Sequence, residues 1–359
     1  MPGLKWKKNF HKSLGAWFDD EFRDLPWRQT RDPYKIWISE IMLQQTRVKT
    51  VVPYYLRFIR ALPTLNILAE TSLERVLKLW EGMGYYARAR NIHKSARHIC
   101  STFDGVFPKE IEEIQSLAGI GPYTAAAIHS IAFGGDHAVV DGNVKRVLAR
   151  LFCVEEEINS KEGIAKIERL AQQCLAKGNA GTYNQAIMEL GAVICRPRLP
   201  QCERCPVNDQ CMAFKDKRQT QFPKKAAKKP KPHYTVAIGL IFKNHKILIT
   251  RRPCKGMLGG LWEFPGGKLD PSLPLSKALA QKIEQHIAVK VRVGKKITVI
   301  QHGYTHFDIT MHAFRCTLIS GTPRCRECIQ WRWIDLREMD KYAFPRADKK
   351  VIEQAALAG

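Results

Sequence analysis

Leu117–Ala125 reads "LAGIGPYTA". Gly119 and Gly121 flank one isoleucine, and Pro122 follows at once. Glycine enters the backbone angles of a tight turn without steric cost. Proline is favoured in the first turn of a helix, where N–H groups have no partner inside the helix. The stretch predicts two helices joined by a hairpin at residues 116–125, the second helix opening near Pro122. The free N–H groups of that opening, with those of Gly119 and Gly121, suit a phosphate.

Twenty residues beyond Gly121 comes "VVDGNVKRVLARL". Asp141 stands before Gly142 and an amphipathic run, the place of a helix N-cap. Such an aspartate can cap a helix and still turn one oxygen into a cleft. Lys145 and Arg146 are read as phosphate contacts. Upstream, residues 36–46 read "IWISEIMLQQT". One carboxyl, Glu40, sits among six apolar side chains, and Gln44, Gln45 and Thr46 follow. Apolar surroundings raise a carboxyl's pKa, which makes it an acid useful near neutral pH.

The partner class follows from charge. The chain has 359 residues, with 58 Lys and Arg against 34 Asp and Glu, a formal charge of +24. That excess fits a polyanion bound by counterion release. No apolar run approaches the roughly 18 residues of a membrane helix, and the N-terminal stretch has no secretory pattern. Cysteine usage, an odd total of 11, argues against a full disulfide framework and for a reducing compartment such as the cytoplasm. Cys195, Cys202, Cys205 and Cys211 crowd into "CRPRLPQCERCPVNDQC". Four thiolates so close can hold a zinc ion or a [4Fe–4S] cluster, and spacing alone does not choose. Arg196, Arg198 and Arg204 between them would suit a duplex backbone.

Residues 1–214 read as helices throughout, as in "TSLERVLKLWEGM" and "GIAKIERLAQQCLAK", with Thr71, Ser101 and Ser160 expected as N-caps. Residues 215–232 carry eight Lys or Arg and three prolines, the composition of a stiff, solvated linker. From residue 233 the pattern changes to strands. "YTVAIGLIF" and "KILITRR" flank "KNH" as a hairpin, further strands are expected in "KVRVGKKITVI", "FDITMHAFRC" and "IQWRWID", and "LSKALAQKIEQHI" reads as a helix. The chain is therefore read as multidomain: an all-α domain over 1–214, a basic linker over 215–232, and a smaller α/β domain over 233–359.

Together "LPWR", "SEIMLQQT", "GMGYYARAR", "LAGIGPYTA", "VVDGNVKRVLAR" and the four cysteines resemble the helix–hairpin–helix DNA glycosylases with an iron–sulfur loop, those of the MutY adenine type in particular. The resemblance implies a monomeric enzyme that excises adenine mispaired with 8-oxoguanine, or guanine, in double-stranded DNA, with one [4Fe–4S] cluster on the four cysteines (residues 195–211) and no membrane partner. It implies Glu40 as the acid that protonates the extruded adenine and Asp141 as the carboxylate that stabilises the sugar cation. Tyr123 and Asn143 are implied to support the sugar or Asp141. Arg28, Gln44, Gln45, Thr46, Met83, Gly119, Gly121 and Lys145 are expected to contact DNA, and Tyr85 to wedge beside the oxidised base. Bifunctional relatives have a lysine two residues after the second hairpin glycine. Here Tyr123 stands there, and a phenol forms no Schiff base, so strand cleavage is not expected. Gln185 stands where the family's usual Glu would be, and carries only a weak polar role.

In the C-terminal half, "GGLWEFPGGKLD" looks like the approach to a Nudix box. Framed from Gly267, Ile283 and Val289 fill apolar positions, but Leu273, Lys282, Gln285 and His286 stand where carboxylates would bind Mg²⁺, and Gln281 replaces the arginine. A Nudix-like fold without its hydrolysis is expected. The family's lesion-reading Phe-Ser-His loop aligns with Tyr304, Thr305 and His306. Cys325 and Cys328 do not complete a zinc site.

Overall fold

The computed structural model describes residues 3–227 and 230–357. Its helices are α1 (Leu4–Glu21), α2 (Pro33–Leu43), α3 (Val48–Ala61), α4 (Leu65–Glu70), α5 (Leu73–Trp80), α6 (Ala87–Thr102), α7 (Ile111–Ser116), α8 (Pro122–Phe133), α9 (Gly142–Leu151), α10 (Lys161–Cys174), α11 (Ala180–Val193) and α12 (Met212–Lys215). There follow β1 (His233–Lys243), β2 (Lys246–Arg251), β3 (Trp262–Glu263), β4 (Gly266–Lys268), α13 (Leu275–Ile287), β5 (Lys290–Gly303), β6 (Asp308–Ser320), β7 (Gln330–Asp335) and α14 (Arg346–Leu357). Two compact units emerge: Met1–Glu70 with Lys94–Lys228, and Thr71–His93 with Lys229–Gly359. The second is discontinuous, which the change of pattern near residue 214 gives no sign of.

In the first unit α2 is the central helix. Every residue from Ile36 to Met42 is buried, so it has no polar face, as expected of a helix surrounded by protein. Asp32 caps it by accepting from the Tyr34 N–H at 2.9 Å, and Pro33 opens it. It packs on α3 and α8. The hairpin forms as its glycines demand: Gly119 has φ +82°, Gly121 is the N-cap of α8, and Pro122 is its first residue. A second core gathers α1, α9, α10 and α11 around Phe10, Leu14, Leu148, Ile167 and Leu190.

Two expected caps fall elsewhere. Ser72, not Thr71, caps α5 by accepting from the Arg75 N–H, and Ser101 lies inside α6, where its hydroxyl donates to the His98 carbonyl. Ser160 caps α10. The basic segment is not wholly solvated either. Phe222 is 1% exposed, its carbonyl accepts from the Arg150 Nε at 3.1 Å, and the Ile158 N–H donates to the Lys224 carbonyl at 3.0 Å. One aromatic residue in a charged stretch is enough to dock it, since burial of a Phe stabilises by about 1.5–3 kcal/mol.

The second unit is a mixed sheet between two helices. The strand order is β3-β2-β1-β6-β5, with β4 on β1 and β7 on β2. Only the β1–β6 pair among the described strand pairings is parallel. Asn244 and His245, both at positive φ, turn β1 into β2. Alternate β1 residues serve opposite faces: Ile238 and Leu240 join Phe264, Phe344 and Val351, while Ala237 and Ile241 join Leu279, Ile283 and Ile287. Burial on both faces explains why "VAIGLIF" is continuously apolar. α5 belongs here because its polar ends are tied in: Trp262 Nε1 donates to Glu74 at 3.0 Å, Lys78 Nζ to the Tyr342 carbonyl at 3.0 Å, and the Phe344 N–H to Glu81 at 2.9 Å.

Candidate active site

Two carboxyls converge in the first unit. Glu40, on α2, is 5% exposed. Its Oε2 accepts from the Tyr123 hydroxyl at 3.0 Å. Its pKa is raised to about 7, chiefly by burial with a contribution from nearby Asp141, and against the pull of the Tyr123 hydrogen bond and the Arg28 charge. Asp141 is the N-cap of α9. Its Oδ1 accepts from the Val144 N–H at 2.6 Å and its Oδ2 from Asn143 Nδ2 at 2.9 Å. Burial raises this carboxyl too, opposed by those N–H donors and by Arg146. Tyr123, in the first turn of α8, has its phenol pushed far up by burial and by the two carboxyls, so it remains a proton donor to Glu40.

Charged residues that the sequence pattern gave no reason to bury hold this arrangement. Arg146, 8% exposed, donates from Nη2 to Asn143 Oδ1 at 2.9 Å and to the Gly191 carbonyl at 2.6 Å, and from Nε to the Cys195 carbonyl at 2.7 Å. Its hold on the Asn143 oxygen turns the amide's N–H₂ toward Asp141. The expectation that Arg146 reaches phosphate is therefore corrected: its donors are consumed inside. Glu189, 1% exposed, accepts from Arg23 at 2.6 Å and from Arg28 at 2.9 Å. Arg28 also lies 5.2 Å from the Phe18 ring, its side chain is 10% exposed, and its charge draws Glu40 down.

Gln44 ends α2, and its Nε2 donates to Thr124 Oγ1 at 3.1 Å. Gln45 is exposed at φ +57°, and the Thr46 N–H donates to the Leu43 carbonyl at 3.2 Å. Lys145 is half-buried on α9, beside Asp141 in sequence. Gln185 Nε2 donates to the Gly181 carbonyl one turn earlier, at 3.3 Å.

The four clustered cysteines line one cavity with Arg150, Ile194 and Pro200. Arg150, 2% exposed, ties their loop down by donating to Cys195 Sγ at 3.2 Å and to the Arg196 and Pro197 carbonyls at 2.8 and 3.1 Å. Among the described residues no three His, Cys, Asp or Glu side chains could hold a single metal ion. Four thiols lining one cavity are a donor set that fits a metal ion or a [4Fe–4S] cluster. Arg196, Arg198 and Arg204 of the loop are exposed.

In the second unit Tyr85 is 41% exposed and held at φ +49° between Gly84 and Tyr86. Its hydroxyl shares a hydrogen bond with Thr305 Oγ1 at 2.7 Å, and Arg88 lies 5.2 Å from its ring. Thr305 and His306 are exposed at the β5–β6 turn. Met83, beside Gly84 and Tyr85, is 6% exposed. Among the described residues no helix is long and apolar enough to cross a membrane.

Residues 38–173 match the HhH-GPD superfamily of base excision DNA repair proteins, and residues 237–354 match the NUDIX domain. The adenine DNA glycosylase of Homo sapiens is 35% identical over 95% of this chain and 73% of its own length. The chain belongs to the adenine DNA glycosylase family. A relative of the same description from Buchnera aphidicola subsp. Acyrthosiphon pisum is 31% identical over 96% of this chain and 97% of its own. Among solved structures, a thermostable thymine-DNA glycosylase covers 59% of the chain and 98% of its own, with a TM-score of 0.55 and 31% identity. The protein is thus a DNA glycosylase acting on adenine, a helical HhH-GPD domain followed by a Nudix-like α/β domain.

Proposed function

We propose that this glycosylase removes adenine opposite 8-oxoguanine or guanine in duplex DNA and leaves the strand uncut. The observation that carries the reading is one buried carboxyl, Glu40, poised near neutrality beside a second, Asp141, held by N–H donors. An extruded adenine accepts the Glu40 proton on a ring nitrogen. The electrons of the N-glycosidic bond leave with the base, and positive charge develops on the sugar. Asp141, kept ionised by Val144 and Asn143, stabilises that cation. Water then adds to the sugar carbon and gives up a proton to a carboxylate. Paired carboxyls divide the work of glycoside hydrolysis in the same way.

Tyr123 supports Glu40 by donating to it; having no amine, it offers no route to a covalent sugar adduct. Gly119, Gly121 and the α8 N-terminus, with Lys145 and the loop arginines, suit phosphates. Gln44, Gln45 and Thr46, at the end of α2, suit the gap left by base extrusion. Tyr85, an exposed ring in the left-handed region, suits a wedge, because such strain collects where function requires it. Its bond to Thr305 joins the wedge to the loop proposed to read the oxidised base. A [4Fe–4S] cluster on Cys195, Cys202, Cys205 and Cys211 would staple the arginine loop and take no part in bond breaking.

The test is Glu40→Gln under single-turnover conditions on A:8-oxoguanine, A:G and T:G duplexes. The variant is expected to bind the mispairs while adenine release falls by about 10²–10⁴-fold, the range of a lost general acid. Near-normal release would end the assignment. Release of thymine in preference to adenine would end the substrate reading.

A further inference from the structure

Two thiols of the second unit belong neither to the glycosylase reaction nor to the four-cysteine loop. Cys325 and Cys328 stand in "TPRCRECI", the connection from β6 to β7. Both are free; Cys325 is exposed and Cys328 is buried. The connection bends around the C-terminus of α13. The Arg324 N–H donates to the Ile287 carbonyl at 3.0 Å, and the Arg326 and Glu327 N–H groups both donate to the His286 carbonyl at 3.2 Å. Two successive N–H groups on one oxygen fold the chain back on itself, and the cysteines flank that pair. Further on, the Ile329 N–H donates to the Arg251 carbonyl at 2.9 Å, and Lys282 holds Glu327 at 2.7 Å. The fold thus fixes the bend without help from a covalent bond. Across it the Cys328 thiol makes a hydrogen-bonding contact with Cys325.

Two thiols alone do not complete a metal set. Packing accounts for Cys328, which shares the apolar core of Leu279 and Ile283, but not for its exposed partner. Unequal exposure is what thiol–disulfide exchange requires: an accessible sulfur that meets the external disulfide, and a sheltered one that resolves the product. Burial, and then Cys325 beside it, push the Cys328 thiol up to about 12, so it stays inert until its neighbour has reacted. Arg324 and Arg326 flank Cys325 and are exposed; their cations suit an anionic disulfide. A ring closed between residues three apart gains little stability, because that gain grows with loop length. In a reducing compartment a disulfide is transient and redox-sensing more often than structural.

We propose that Cys325 and Cys328 are a redox site that closes to a reversible disulfide by exchange with oxidised glutathione. The Cys325 sulfur attacks one sulfur of the glutathione disulfide. That S–S bond breaks, and the first glutathione leaves with the electron pair and takes up the proton that Cys325 gives up. Cys328 then attacks the Cys325 sulfur of the mixed disulfide. The second glutathione leaves with its electron pair, takes the Cys328 proton, and the bridge is closed. The cysteine pair is oxidised by two electrons while one glutathione disulfide is reduced to two thiols. Reduced glutathione runs the same steps backwards.

The full chain is equilibrated without oxygen in glutathione buffers from reducing to oxidising, quenched with acid and alkylated. It is then cut so that residues 325 and 328 stay in one peptide, which is weighed. In oxidising buffer that peptide is expected to lose two hydrogens and escape alkylation, and to regain both thiols when reduced glutathione is restored. Cys328→Ala should stop at the mixed disulfide, with one glutathione retained on Cys325. Cys325→Ser, at an exposed position, should lose both the bridge and the adduct. Two free thiols in the most oxidising buffer would overturn the proposal, as would a bridge that reduced glutathione does not reopen. A Cys325→Ser chain whose Cys328 takes up glutathione would overturn it too, since the sheltered sulfur would then need no partner.

Discussion

The middle of α2 and the start of α9 each supply a carboxyl to one site, and they treat it in opposite ways. Glu40 is enclosed by apolar neighbours and receives a single hydroxyl. Asp141 sits at a helix N-terminus and receives a backbone N–H and an amide N–H. Burial raises both. What separates them is the supply of donors, because each N–H bond favours the charged form. The same chemical group becomes a proton donor in one place and a fixed anion in the other, and the backbone element decides which.

Three substitutions break or sharpen this contrast. Asp141→Asn keeps the shape but removes the anion; adenine release on A:8-oxoguanine duplexes should fall by about 10³-fold, in the range of lost electrostatic stabilisation at a transition state. Retention of more than a tenth of the rate would show that the anion is dispensable. Glu189→Gln acts at a distance. It leaves Arg28 a buried cation without its partner, at a stability cost of about 3 kcal/mol, read from denaturant unfolding. The freed Arg28 charge should also draw Glu40 down and move the alkaline limb of the rate profile to lower pH. A limb that stays in place would remove Arg28 from the account. Tyr123→Phe is the mildest. Loss of a donor to the carboxylate lets Glu40 rise further, so the alkaline limb should move up in pH while the plateau rate changes by less than about tenfold. A downward shift would contradict the geometry.

Much of this site is legible in sequence, for reasons that differ from residue to residue. Gly119, Gly121 and Pro122 fix their hairpin locally, and Asp141 caps the helix that its own neighbours form. The apolar run around Glu40 announces burial. The α13 pattern reads directly because its helix period is unbroken over 13 residues, and β1–β2 because two apolar runs flank a short polar turn. By contrast, Arg23, Arg28, Arg146 and Arg150 look like surface cations. Their partners are carbonyls and carboxylates brought in by the fold, from Cys195, Gly191, Phe222 and Glu189, and no local pattern records them. Thr71–His93 joins the second unit for the same reason. Trp262–Glu74 and Phe344–Glu81 are contacts across more than half the chain. β3 and β4, of two and three residues, are too short for any period to show. Tyr304 is a mixed case: the loop is found from sequence, but the ring turns into a cavity wall.

The central claim is that Glu40 acts as an acid because its burial keeps it protonated near neutrality. It is tested most directly by the single-turnover rate of adenine release as a function of pH. Protonated Glu40 is the active form, so the rate should be level below about pH 6.5 and fall through about 7, then drop tenfold for each further pH unit in proportion to the protonated fraction. Glu40→Gln should lack this limb. A rate that stays level to pH 9 in the parent chain would contradict the account.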